Sequence, residues 1–224
     1  MVLKVERNPG SRGWPIVSAG EADQAVRTSR LVSLISAKDP NLVHGPIQPA
    51  DQHWIPTIRS KRIDDDSLRP SRSRFLDPRQ VTNARPSAHH LRGGGLYTST
   101  PSRNGRGMWE WYLELFPSDL APKPWNVWSL RTTSAPVVEI ASATDWVAFL
   151  EMCGRVINGF VYPDWSRASA RFAGLHFTIG AIAAAQGFSF DTRLGPTAPG
   201  FWDVEQTIWL RWAFASAQLL RTIR

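Results

Sequence analysis

The chain has 224 residues, of which 42% are hydrophobic and 20% charged, and this places it among globular proteins with one substantial domain, or one domain with an extended arm. A single cysteine, Cys153, excludes a disulfide framework and a Cys-rich zinc site. The N-terminal MVLKVERNPG has no apolar run, so no secretory signal is expected. The longest apolar stretch, Phe172 to Phe188, is too short and too polar to span a bilayer. The net charge of +7 is unevenly spread: residues 1–93 carry 15 Lys/Arg against 9 Asp/Glu, whereas nine of the eleven Trp lie after residue 93. A basic arm on a near-neutral, aromatic-rich domain points to nucleic acid, an acidic protein or an anionic surface as partner, or else to arginines that keep a flexible segment soluble.

In chain order, Ala19 to Ser36 places Ala22, Ala25, Val26, Leu31, Leu34 and Ile35 at mostly helical spacing, which predicts a helix over 19–36. LVHG, Leu42 to Gly45, reads as a short strand stub between prolines. From Pro46 to Gly93 the composition is Pro, Ser, Arg and Asp. Its few large apolar residues, Trp54, Ile55, Ile58 and Phe75, are able to dock onto the later domain. After the triple glycine at 93–95, LYTST (Leu96 to Thr100) is β-prone. MWEWYLELF (Met108 to Phe116) is amphipathic, with Trp109, Tyr112, Leu113 and Phe116 on one face.

WNVWSL (125–130) and PVVEI (136–140) read as strands, and Ser142 with Asp145 reads as a capping box before a helix that buries Trp146, Phe149 and Leu150. That helix ends at Cys153, expected to be a small buried hydrophobe rather than a nucleophile. Asp164 caps a second helix through Phe172, and Leu175 to Ile179 is a further strand. In FWDVEQTIWLRW, Phe201 to Trp212, alternation puts Val204, Ile208 and Leu210 on one face of a strand, with Asp203, Glu205, Thr207, Trp209 and Arg211 on the other. The expected fold class is α+β: a small split or twisted β-sheet core with flanking helices, preceded by an extended Arg/Pro-rich segment. Residues 1–92 form the basic leader in this reading, and 93–224 the aromatic-rich domain.

Phosphate-binding loops of the GxxxxGK[ST] or GxGxxG type are absent, as is GxSxG. His89-His90 has no carboxylate or cysteine at ligand spacing and reads as part of the polar leader, so no metal site is expected. Two features remain: the hydroxyl-rich LYTST after three glycines, and the carboxylates Asp203 and Glu205 on one face of an aromatic-rich strand. Such acids either sit at a polar spot in an apolar cleft, or lie on a solvated sheet edge and pair with Arg211 or Arg193.

GLYTST, with WDVEQTIWL about a hundred residues later, resembles the second and third motifs of ADP-ribosyltransferase-type domains, nearest to toxin-like proteins of actinobacteria and their phages. The likeness covers residues 93–212. It implies NAD as substrate, with Ser99 or Thr98 as the hydroxyl that braces the site and Tyr97 as the ring stacked on nicotinamide. It further implies Glu205 as the carboxylate that grips the ribose 2′-hydroxyl. Asp203 falls where relatives that modify side chains or small molecules often carry Gln or Glu. For the first motif, which holds NAD, His44 in LVHGP and Arg59 in WIPTIRS both qualify. The expected activity is transfer of ADP-ribose from NAD to a macromolecule or small molecule, or NAD hydrolysis, in a cytoplasmic protein. The rival expectation is a non-enzymatic structural or nucleic-acid-associated protein, such as a virion component, acting through its basic arm.

Overall fold

The computed structural model describes residues 14–55, 81–83, 89, 91, 95–116, 123–200 and 203–224. The expected extended segment falls mostly outside the described residues, as do Ile58, Arg59, Phe75, His90 and Trp202.

The architecture is α+β. Three helices come first: α1 (Ala19–Thr28), α2 (Arg30–Lys38) and α3 (Pro40–His44). Ser18 opens α1 with a reciprocal capping box to Glu21. The single helix expected over 19–36 is two, because Ser29 leaves the helix in an extended conformation and its side chain caps α2. LVHG is not a strand stub: it closes α3, which begins at Pro40, a residue preset for a first helical turn. β1 (Gln52–Trp54), β2 (Leu96–Thr98) and α4 (Met108–Leu115) come after these helices. Next are β3 (Trp125–Thr132), β4 (Val137–Ile140), α5 (Ala143–Cys153), β5 (Gly154–Ile157) and β6 (Phe160–Pro163). The chain continues with α6 (Trp165–Arg171), β7 (Gly174–Phe177), α7 (Ile179–Ala185), β8 (Phe190–Thr192) and β9 (Gly195–Thr197). It ends with β10 (Gln206–Trp209) and β11 (Phe214–Ile223).

Two sheets carry the fold. One has the order β2-β10-β7-β4, antiparallel except for the parallel pair β4–β7, and the other has the order β1-β3-β11. Register sorts the first sheet into two faces. Ile140, Leu175, Phe177 and Ile208 meet α1, α5 and α7 in the larger core, which contains Trp146, Phe149 and Leu150. On the opposite face, Leu96, Trp209 and Val137 pack against Trp54, Trp128 and Leu130 of the second sheet. Gly174 lies in that row because a Cβ there would stand 2.9 Å from the Ile208 carbonyl and 3.2 Å from the Trp209 ring. At ~1.5–3 kcal/mol for each large side chain removed from water, these two cores dominate the favourable side of folding.

Ser142 and Asp164 cap their helices, accepting from the Asp145 and Arg167 amides, but the capping box at Ser142 is only half formed: the Asp145 carboxylate accepts from the Ala141 amide and the Ser142 hydroxyl instead. Cys153 is fully buried, and burial pushes its thiol pKa up. The boundary expected at Gly93 does not separate an arm from a core among the described residues. Ala22, Val26, Val32 and Val43 belong to the larger core, Trp54 to the smaller one, and β1 pairs with β3. Asp23 of α1 even serves as a cap for α5, accepting from the Ala143 amide at 2.6 Å and from the Thr144 hydroxyl at 2.6 Å. The leader's helices carry their own apolar stripe, and burying it against α5 and α7 yields more than leaving it in solvent. Among the described residues no helix is long and apolar enough to cross a membrane.

Candidate functional site

Buried polar side chains gather in one seam, where β1, β2, β10 and β7 come together. Gln52, His53, Thr98, Ser99, Thr100, Glu110, His176, Glu205 and Thr207 are each at most 3% exposed. Burying polar groups is costly unless they are paired, and most of these are; among the described residues the hydroxyls of Ser99 and Thr207 are the exceptions in the seam.

The register places Thr98, Thr207, His176 and Glu139 in a single row across the four-stranded sheet, on the face toward the second sheet. Glu205 enters from the residue preceding β10. Its two carboxylate oxygens accept from the Thr100 amide at 3.1 and 3.0 Å, and Oε1 lies 2.9 Å from His176 Nε2. The other ring nitrogen, Nδ1, is 2.6 Å from Glu139 Oε2, and Glu139 Oε1 accepts from the Ile47 amide. Burial works against charge on His176, but hydrogen bonds and the charges of Glu139 and Glu205 outweigh it and raise the imidazole pKa from 6.5 to about 9.

A second histidine stands on the far side of the hydroxyl segment. His53 of β1 exchanges both backbone hydrogen bonds with Ser99, at 2.8 and 2.9 Å. Its Nδ1 is 3.3 Å from Glu110 Oε1, and its Nε2 is 3.4 Å from Asp51 Oδ1. Glu110, on α4, also accepts from the Gly107 amide and from Arg221, whose Nη2 reaches both oxygens at 2.6 Å. Burial raises the Glu110 pKa, yet His53, Arg221 and the Gly107 amide together hold it below the usual carboxylate value. Between the two clusters sits Ser99, whose Oγ is buried without a hydrogen-bond partner among the described residues. Gly107 lies against it, where a Cβ would come within 2.3 Å of that oxygen.

Of the sequence-derived candidates, Thr98, Ser99 and Glu205 come together. Thr98 Oγ1 donates to Gln52 Oε1 at 2.6 Å and accepts from Trp209 Nε1 at 2.8 Å. Tyr97 points to the other face of its strand, donates its hydroxyl to the Leu91 carbonyl, and meets Trp109 edge to face with centroids 6.3 Å apart. Asp203 is exposed and lies outside β10, while Glu205 is 1% exposed. The strand expected over 201–212 is confined to 206–209. All four of its residues are buried, because β10 is an internal strand covered on both faces. The solvated-edge alternative therefore does not describe Glu205, whose ion partner is His176; Arg193 pairs instead with Glu151. His44 is exposed at the end of α3, beside Gly180, and not on a strand; Arg59 lies outside the described residues.

His176, Glu139, His53, Glu110 and Arg221 were not singled out from the sequence. Signals existed for two of them. His176 is an ionisable residue inside a strongly apolar stretch, a setting that demands a partner. Glu110 occupies the third position of a helix among aromatic residues, where an acid caps the preceding backbone. Among the described residues no group of three or more His, Cys, Asp and Glu side chains is arranged to hold a metal ion. No protein-family model matches this chain, and neither a curated protein nor a solved structure matches it.

Proposed function

We propose that this chain cleaves the nicotinamide–ribose bond of NAD and transfers ADP-ribose to an acceptor, or to water when no acceptor is bound. One observation carries the reading: the strand bearing the hydroxyl motif and the strand led by Glu205 are adjacent. Thr98 faces Thr207 across that pair, and the Glu205 carboxylate rests on the Thr100 amide. His53 lies beside the hydroxyl motif, on the strand that bridges to Ser99, whereas His44 closes a helix, so we assign the first-motif role to His53.

In this chemistry the C–N bond breaks with its electron pair leaving on nicotinamide, and positive charge grows on the ribose. A hydroxyl or other nucleophile of the acceptor then bonds to C1′ and releases its proton. A fixed carboxylate beside the ribose lowers the barrier by countering that charge. Glu205 is the group suited to this role, and exposed Asp203, two residues earlier in the chain, is the carboxylate we assign to the acceptor side.

The test is nicotinamide release from NAD by the purified chain. Glu205→Gln should lower it by ~10²–10³-fold, with circular dichroism confirming that the variant is folded at the assay temperature. A wild-type chain that releases no nicotinamide, or a Glu205→Gln chain that matches it, overturns the reading.

A second reading is favoured by the completeness of the Glu205 contacts: buried and bonded on both sides, this carboxylate has the character of a structural clasp. The function would then reside in the basic segment, where residues 56–94 hold nine Lys/Arg against four Asp/Glu. A non-enzymatic, nucleic-acid-associated or virion protein is expected to bind nucleic acid with an affinity that falls steeply with salt. Deleting residues 59–80 should then flatten that dependence, with no NAD turnover before or after.

A further inference from the structure

Among the described residues, His176 bridges the half-exposed rim of the seam and its interior. Both ring nitrogens face carboxylate oxygens, at 2.6 Å toward Glu139 and 2.9 Å toward Glu205. A neutral imidazole has one N–H and satisfies one of them; an imidazolium donates to both. The ring is 1% exposed, so water does not stand in for a lost partner. Around it, β4 presents Glu139, the start of β10 presents Glu205, and β10 itself presents the Thr207 hydroxyl. Among the described residues neither Glu139 nor Glu205 has a Lys or Arg ion partner.

We propose that His176 is a positioning residue: as an imidazolium it fixes the Glu205 carboxylate against the Thr100 amide, and Glu139 at the half-exposed end sets the charge on the ring. What Glu205 does once fixed rests on the transfer reading above; the hold of His176 on Glu205 does not. The raised pKa of about 9 agrees with this geometry. At neutral pH both bonds are made. As pH rises through about 9 one proton leaves and one carboxylate loses its donor; in the tautomer that keeps the shorter Nδ1 contact to Glu139, Glu205 retains the Thr100 amide alone.

The experiment compares wild type with Glu139→Gln, a substitution at a half-exposed position whose amide oxygen still accepts from Ile47. Two quantities are measured: the pH profile of nicotinamide release, and the titration of the His176 ring by NMR. In wild type the alkaline limb of the profile and the ring titration should coincide near pH 9. In Glu139→Gln both should move to lower pH together, by ~1 pH unit or more, while release at pH 6 stays within about threefold of wild type. A merely structural role would lower the melting temperature without moving the limb.

A ring that titrates near its ordinary 6.5 in wild type overturns the proposal, whatever the activity. So does a limb that stays in place while the ring titration moves. A wild-type chain that releases no nicotinamide, yet whose His176 titrates near 9 and responds to Glu139→Gln, overturns the transfer reading and leaves the hold of His176 on Glu205 standing.

Discussion

The two buried histidines are built to one plan and differ in the cations around them. Each lies between a partly exposed acid and a buried glutamate: Glu139, His176 and Glu205 on one side, Asp51, His53 and Glu110 on the other. On the His53 side two guanidinium groups are added, Arg221 and, more loosely at 3.8 Å from Glu110 Oε2, Arg106. Arg221 takes both oxygens of Glu110 at 2.6 Å, and the imidazole stands off at 3.3 and 3.4 Å from its acids. On the His176 side no such cation is present among the described residues, the contacts shorten to 2.6 and 2.9 Å, and the imidazole itself becomes the cation. Where no arginine neutralises the buried carboxylate, the histidine between two acids holds the proton that both require, and the site acquires a pH dependence.

The comparison breaks most severely on removal of the imidazolium. His176→Leu leaves Glu205 buried beside Glu139 without a counter-charge and should cost ~3–5 kcal/mol of stability, read from the urea midpoint at pH 7. Adding Glu205→Gln to that variant should recover part of the loss, since the stranded charge is then gone. If the two substitutions simply add, the ion pair is not what His176 contributes.

Alkaline pH should reproduce much of the same loss without any substitution. His176 has its pKa raised on folding, so its contribution is complete below pH 6.5 and is lost as pH climbs to about 9. On the order of 3 kcal/mol of stability should disappear across that window. Guanidinium groups stay charged there, so the loss should vanish in His176→Leu and persist in Arg221→Met. A flat profile in wild type would remove the distinction between the two clusters.

A smaller effect is expected where the clusters meet. Gly107→Ala drives a methyl to within 2.3 Å of Ser99 Oγ, and should destabilise by ~1–3 kcal/mol. Ser99→Gly in the same chain should restore most of that, and failure to do so would place the strain in the backbone instead. The smallest effect belongs to Arg221→Met. Its side chain is 37% exposed, and Glu110 keeps His53, the Gly107 amide and the looser Arg106 contact, so about 1 kcal/mol is expected. A loss as large as that of His176→Leu would show that the His53 cluster depends on its cation to the same degree.

The sequence by itself determined the α+β class, the caps at Ser142 and Asp164, the helix at 108–115, and strands at LYT, WNVWSL and VVEI. Each is written within about ten residues, as a capping hydroxyl or carboxylate, a helical stripe or an alternation, and needs no distant partner to be expressed. It also pointed to LYTST and Glu205 as the polar features of an aromatic-rich chain. Only the tertiary structure decided that the first helices belong to the core, because their apolar stripe is modest and its destination lies more than a hundred residues away on α5 and α7. The same holds for the partners of Glu205. Its contact with His176 spans 29 residues and that with Thr100 spans 105, and both depend on a strand register fixed by what each face buries. A charge's neighbours are set by that packing, and so the proton on His176 belongs to the fold rather than to any segment of the sequence.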